Sequence, residues 1–86
     1  MIRWEFLKKG DEFFYGAPPA PTDFWVLVED NKKLAAFFNN PFNGEWTVLI
    51  NGEHLPGKAV YYGNHFTIVE MKKNVEVLCN VKSGNG

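Results

Sequence analysis

The segment from residue 46 to residue 52 constrains the possible fold more than any other part of the sequence. Every second residue from Trp46 to Ile50 is large and apolar, which is the period expected of a β-strand with one buried face. Asn51-Gly52 follows directly, and this dipeptide is the strongest short signal for a two-residue hairpin turn. The sequence therefore predicts antiparallel strands joined by local turns.

Apolar patterns predict further strands on both sides of this segment. Ile2 to Phe6 alternates apolar with charged residues, while Phe24 to Val28 is a near-continuous apolar run typical of a central strand covered on both faces. We expect a first hairpin in which a turn at residues 8–11 leads into an extended run at residues 12–15. Three more extended segments are expected at residues 59–62, 65–71 and 75–81, with turns at Pro56-Gly57, Gly63-Asn64 and Lys72-Lys73-Asn74.

A proline-rich segment follows the expected first hairpin. Three of the five prolines lie between Ala17 and Thr22. Because proline lacks an N–H group and has a fixed φ, this segment is expected to run as polyproline II outside the sheet, as a loop or an arm.

The next segment fits either a helix or a strand. Leu34, Phe37 and Phe38 fall on one face of a helix, which predicts a short helix at about residues 31–39. It must end before Pro41, because the residue before a proline is pushed out of the helical region. The alternative is a hairpin that turns at residues 30–33 and continues as a strand.

These elements define a fold class and a domain organisation. We expect a mainly β protein of the β-rich α+β type, a small twisted antiparallel sheet or barrel of about five to seven short strands with at most one short helix. The chain of 86 residues is long enough for one hydrophobic core. Residues 1–82 are therefore predicted to form a single globular domain, and residues 83–86 a flexible tail.

Charge and cysteine content bear on partners and compartment. Nine Lys and Arg residues against ten Asp and Glu give a net charge of −1, which disfavours nucleic acid as a partner and also disfavours an acidic DNA mimic. Cys79 is the one cysteine, and a small secreted domain would usually carry several. The opening residues show no apolar signal region, and no run approaches the ~18 apolar residues of a membrane span. We expect a location in the cytoplasm, either of the organism or of an infected host cell, and no association with a membrane.

No catalytic motif stands out among the reactive residues. His54 and His65 could approach each other if their strands pair, but a zinc site would also need Cys79 to converge from a third strand. Cys79 alternates with valines on a face that resembles core, which favours a buried, inert thiol. The glycines fit turns and form no phosphate-binding motif. We therefore expect no enzymatic activity, no catalytic residue, no cofactor and no metal.

The aromatic content is the feature that most exceeds structural need. Phe, Trp and Tyr make up 16% of the chain, more rings than so small a core readily encloses, so some rings are expected at the surface. A double-sided core with a helix on one face is the alternative. Tyr61 and Tyr62 are adjacent and should point to opposite faces of a strand. The residues predicted to bind a partner are Tyr15, Trp25, Tyr61, Tyr62 and His65.

Two functions follow from this pattern. The first is a non-enzymatic protein-binding domain that docks an aromatic surface on a macromolecular partner, as accessory or inhibitory factors do, including those encoded by phages and mobile elements. The alternative is a barrel that binds a small ligand or single-stranded nucleic acid by stacking on its rings. The alternative would gain support if the turn lysines met on one side of the molecule: Lys8, Lys9, Lys32, Lys33, Lys72 and Lys73. Self-association through open sheet edges is compatible with both.

Overall fold

The computed structural model describes residues 1–52 and 57–83, which form one antiparallel sheet and one helix. The strands lie in the sheet in the same order as in the chain, so each connection joins neighbours. The elements are β1 (Ile2–Leu7), β2 (Phe24–Glu29), β3 (Lys32–Asn39), β4 (Trp46–Ile50), β5 (Lys58–Tyr61) and α1 (Ile68–Cys79). The predicted mainly β class with a single helix is confirmed.

The central strands are covered on both faces of the sheet. One face, here called the helix face, carries Leu27, Phe37 and Val48 beneath α1. The opposite face, here called the arm face, carries the buried side chains of Val26 and Phe38. The long apolar run of β2 thus follows from its place inside a two-sided core, as its composition predicts.

Strand β3 occupies the segment for which a helix was predicted, and that prediction was wrong. Leu34 to Phe38 is buried at every position, because the strand has a core on each face: Leu34, Ala35 and Phe37 enter one, and Ala36 and Phe38 enter the other. The chain reverses at Asp30 with φ 55°, so β2 and β3 form a tight hairpin. The hairpin alternative for this segment is therefore correct.

The connection between β1 and β2, residues 8–23, folds back over the sheet; we call it the arm. Its two halves pair locally, since the backbone N–H of Gly10 donates to the carbonyl of Ala20 and the N–H of Ala20 donates to the carbonyl of Asp11, both at 2.9 Å. Phe13 inserts between Phe24 and Phe38, with ring centroids 4.7 and 5.1 Å away. The arm thus closes the core on the arm face.

Two predictions for the arm region need correction. No hairpin forms between β1 and residues 12–15, because β1 pairs with β2 in continuous register from Ile2–Glu29 to Leu7–Phe24. The proline-rich segment is also not a free polyproline loop. Pro19 forms an isolated bridge with Glu12, and Ala20 is buried against the sheet. Proline lacks an N–H group, but Ala20 between two prolines keeps both its N–H and its carbonyl, and these bond to Asp11 and Gly10.

Helix α1 replaces the last two predicted strands, at residues 65–71 and 75–81. Thr67 caps the helix: its hydroxyl accepts from the Glu70 N–H, while the Glu70 carboxylate accepts from the Thr67 N–H. Met71, Val75 and Cys79 recur every four residues and bury one side of the helix. Lys72-Lys73-Asn74, predicted to be a turn, lies inside the helix. Asn80 ends it in the left-handed region with φ 56°.

Some predictions fall outside the described part of the chain. These concern the Pro56 half of the turn at Pro56-Gly57, the surroundings of His54, and nearly all of the tail at residues 83–86. Across residues 1–52 and 57–83, no helix has the length and apolar character needed to cross a membrane.

Candidate protein-binding groove

A groove runs between the free edge of the sheet and the helix. Helix α1 packs most closely over β3 and β4, so the β1 side of the helix face is less covered. The resulting groove has a volume of about 760 Å³. We call it the β1–α1 groove; its lining includes Ile2, Trp4, Val69, Lys72, Lys73 and Val77.

In the described part of the chain, the outward backbone groups of β1 have no partner beside this groove. The N–H of Asp30 donates to the carbonyl of Met1 at 3.0 Å, which fixes the phase of the hydrogen bonds between β1 and β2. Since bonded and non-bonded pairs alternate in an antiparallel ladder, Arg3, Glu5 and Leu7 bond to β2. The N–H and C=O groups of the intervening residues therefore point outward, at Ile2, Trp4 and Phe6.

Trp4 connects the edge strand to the helix at the floor of the groove. Its indole Nε1 donates to Glu76 Oε2 at 2.9 Å, and its ring meets that of Phe37 edge-on at 5.3 Å. Glu76 is buried, so its carboxylate finds its partner inside the protein. This contact fixes the positions of both the indole and the carboxylate. Glu76 is also the one acidic residue among the described residues that line the groove.

Lys72 extends over the tryptophans from the helix. Its Nζ lies 3.9 Å from the centroid of the Trp25 ring and 6.0 Å from that of Trp4. Phe6 also packs against Trp25, with ring centroids 4.7 Å apart. A positive charge above aromatic rings is attracted to their electron-rich faces, so Lys72 is held in place along one side of the groove.

Two exposed valines lie on the outer surface of α1 where it borders the groove. Val69 and Val77 are 63% and 79% exposed, although they stand on a helix whose other side is in the core. They lie two turns apart with Lys73 between them, so they share one face of the helix. Exposed valines gathered beside a concave surface are typical of a contact that a partner would cover.

The charge of the groove differs from that of the whole chain. Lys72, Lys73 and Lys82 line it, whereas Glu76 supplies the one carboxylate among its described lining residues. The side chain of Arg3 is engaged with Glu5 at 2.7 Å. The groove is therefore positive, although the chain carries a net charge of −1.

The structure does not bring the predicted binding residues together. Trp25 lies under Lys72 at the border of the β1–α1 groove. Tyr62 packs on the helix-face core with its ring 5.8 Å from that of Phe66, and burial raises the pKa of its hydroxyl. Tyr61, its neighbour, is 65% exposed, so the expected division of this pair between two faces is found. Tyr15 is fully exposed at the tip of the arm, and His65 is exposed in the loop before α1.

The aromatic excess is divided between core and surface. Most rings enter one of the two cores, while Tyr15 and Phe42 stand fully out in solvent on separate loops. Surface rings were expected and are present, but as separate residues rather than as one patch.

Sequence reasoning did not select most of the groove residues. Trp4 was assigned to a buried strand face, and Lys72 to a turn. Val69 and Val77 were placed in strands, where their exposure on one side of a helix could not be seen. The signal that could have revealed it was the Thr67-x-x-Glu70 capping box, which predicts a helix start.

The six turn lysines do not meet on one side. Lys8 and Lys9 follow β1 at one end of the sheet, whereas Lys32 and Lys33 start β3 at the opposite end. Lys72 and Lys73 stand on the helix. The arrangement that would have supported a nucleic-acid surface is therefore not found.

The reactive residues form no common site in the described part of the chain. Residues 1–52 and 57–83 contain no group of three or more His, Cys, Asp or Glu side chains placed to hold a metal ion. Cys79 is buried between α1 and the sheet, and this burial raises the pKa of its thiol to about 11. A thiol in this state is a weak nucleophile at neutral pH.

Comparison with known proteins finds no matching family model, no matching curated protein and no matching solved structure.

Proposed function

We propose that this chain is a non-enzymatic protein-binding domain of the accessory or inhibitory kind, which binds a protein partner through the β1–α1 groove. The cytoplasm, of the organism or of an infected host cell, is the proposed compartment, since the single cysteine is a buried, free and unreactive thiol. The proposal moves the contact surface from the scattered tyrosines to the groove, and it keeps Trp25 at its border.

One observation carries this proposal. Val69 and Val77 are exposed on the side of α1 that faces a concave, positively charged groove. Beside it lies a strand edge whose outward backbone groups have no partner among residues 1–52 and 57–83. Each feature alone is common on protein surfaces. Their coincidence supplies apolar area, charge and directional hydrogen bonds at one place, which is what a specific protein interface requires.

Nucleic acid is the weaker candidate. The cations lie at both ends of the sheet and on the helix, and Trp4 and Trp25, the rings nearest the groove, are partly buried under Lys72 and packed against neighbours. Stacking of bases needs open ring faces that follow a basic track. Self-association through a sheet edge is compatible with the proposed function and is tested separately below.

Affinity capture from the native cell extract tests the proposal with a matched pair of variants. The groove variant is Val69→Glu with Val77→Glu, which suits the helix because Glu has a higher helix propensity than Val. The control is Tyr15→Glu with Tyr61→Glu, which adds the same charge at two exposed sites outside the groove. We expect a protein retained by the wild-type chain and the control to be lost with the groove variant. Equal retention by all three, or no specific retention by the wild-type chain, contradicts the proposal.

A further inference from the structure

We propose that the β1–α1 groove binds an extended acidic segment of a partner protein, which joins the sheet along β1 as a sixth strand. This inference rests on the proposed function and specifies the chemistry of the partner.

The outward backbone groups of β1 set the binding mode. Ile2, Trp4 and Phe6 each present an N–H and a C=O at the edge, since the bonds to β2 use the residues between them. An added strand would satisfy these groups with main-chain hydrogen bonds, the mode known as β-augmentation. A helix offers no such row of alternating donors and acceptors, because its backbone groups bond within the helix.

The dimensions of the groove suit such a strand. β1 has six residues, so an added strand of equal length spans about 20 Å. Every second side chain of that strand would point to the helix face, into the space between β1 and α1. That space of about 760 Å³ is partly open to solvent and can receive these side chains without moving the helix.

The lining of the groove selects the side chains of the added strand. Val69, Val77 and Val81 offer apolar contacts. Lys73 and Lys82 are exposed cations, and Lys72 stands beside them on the ring of Trp25. Within the described part of the chain, none of these three lysines forms an ion pair. A segment with mixed apolar and acidic residues complements this surface.

A second copy of the chain fits the groove less well. Two antiparallel β1 strands could place Arg3 of each copy opposite Glu5 of the other. However, the side chain of Trp4 is bonded to Glu76 of its own helix and is therefore not free to enter the groove of the other copy. Pairing of this kind would leave both grooves empty. It would also bring the lysines of two helices to the same face of the joined sheet, where like charges repel.

The probe for this inference is a capped eight-residue peptide, Val-Thr-Glu-Thr-Val-Thr-Glu-Thr, titrated into the full chain by calorimetry; Val and Glu share one face of its extended form and Thr fills the other. Two isomers are compared with it, one N-methylated at the Val and Glu amides and one at the Thr amides. Because alternate amides of an added strand face β1, we expect one isomer to bind like the parent and the other to bind at least about tenfold more weakly. Equal binding by both isomers, or no binding by the parent, overturns the inference.

Charge variants test the acidic preference. Lys73→Glu with Lys82→Glu should weaken binding of the parent peptide at least about tenfold, while Lys9→Glu with Lys58→Glu, outside the groove, should leave it within about twofold. Equal effects of the two pairs contradict the charge argument. Sedimentation of the free chain completes the test: a dimer that is lost on Glu5→Arg would assign the edge to a second copy and overturn the inference.

The two proposals fail in different ways. If the groove variant loses a captured protein while the peptide does not bind, the groove remains the binding surface and only the extended acidic occupant is wrong. If capture is unaffected by the groove variant, the proposed function itself fails.

Discussion

The ammonium group of Lys72 lies 3.9 Å from the centre of the Trp25 ring, and this contact joins the middle of α1 to β2 at the border of the groove. Helix α1 packs mainly on β3 and β4. The Lys72–Trp25 contact and the Trp4–Glu76 hydrogen bond extend its attachment toward the edge strand. The shape of the groove therefore depends on a few polar contacts to tryptophan.

Replacing Lys72 tests the first of these contacts. Lys72→Ala should lower the free energy of unfolding by about 1 kcal/mol, because the cation no longer lies over the rings of Trp25 and Trp4. Lys73→Ala, one position along the same helix, should change it by less than about 0.5 kcal/mol. Urea unfolding followed by tryptophan fluorescence measures both. Equal losses would show that Lys72 has no special contact.

The second contact is tested at Glu76. Glu76→Ala removes the acceptor for the partly buried Trp4 indole and should cost about 1–3 kcal/mol of folding free energy. Glu76→Gln keeps an acceptor oxygen in the same place and should cost clearly less. The same urea unfolding measurement applies. If Gln and Ala are equally destabilising, the hydrogen bond to Trp4 does not explain the burial of Glu76.

The arm is expected to be part of the core although it contains no regular strand. Phe13→Ala should destabilise the chain by about 3–5 kcal/mol, since the Phe13 ring is buried between Phe24 and Phe38. Tyr15→Ala, two residues along at the exposed tip, should change stability by less than about 0.5 kcal/mol. Thermal unfolding distinguishes the two. A small effect of Phe13→Ala would mean that the arm does not close the sheet.

The chemical state of Cys79 gives a pH-dependent prediction. Burial disfavours the thiolate and raises the pKa of the thiol from 9.0 to about 11. The unfolded chain therefore loses the thiol proton at a lower pH than the folded chain does. The contribution of the neutral thiol to the free energy of unfolding is fully present below pH 9.0 and is lost as the pH rises toward about 11. At pH 8 the native thiol should alkylate at least about a hundredfold more slowly than in the urea-unfolded chain. Iodoacetamide labelling followed by mass spectrometry measures both rates, and similar rates would contradict the buried position.

The strands that could be predicted are those whose pattern is set locally. In β1 and β4 apolar residues recur with period two, and in β2 an apolar run rich in Val and aromatic residues is too short for most helices. β3 could not be separated from a helix, because both faces of a central strand are buried and its run from Leu34 to Phe38 fits either period. The segment forms a strand because it pairs with β2 on one side and β4 on the other. These are tertiary contacts, which a local sequence pattern does not contain.

The helix was missed for a related reason. Val75, Val77 and Cys79 alternate and therefore resemble one face of a strand, but Val77 is exposed while Val75 and Cys79 are buried. The spacing of four residues among Met71, Val75 and Cys79 fits the observed helix, and the capping box at Thr67 marks its start. Local capping chemistry was the better guide here than alternation.

The groove itself lay mostly beyond sequence reasoning. Excess aromatic content correctly indicated exposed rings, and Trp25 was selected, but the contact of Trp25 with Lys72 joins residues that are far apart in the chain. Trp4 and Glu76 are separated by 72 positions. Since the site arises where a strand edge meets a helix, it could be located only once the helix was known.

The most direct test of the central claim, that the β1–α1 groove is the protein-binding surface, is site-specific photo-crosslinking in the native cell extract. A photoreactive phenylalanine is placed at Val77 in one variant and at Tyr61 in another; both positions are exposed, but Tyr61 lies outside the groove. We predict a discrete adduct with a partner protein from position 77 and none from position 61. Adducts from position 61 alone, or none from position 77, would contradict the claim.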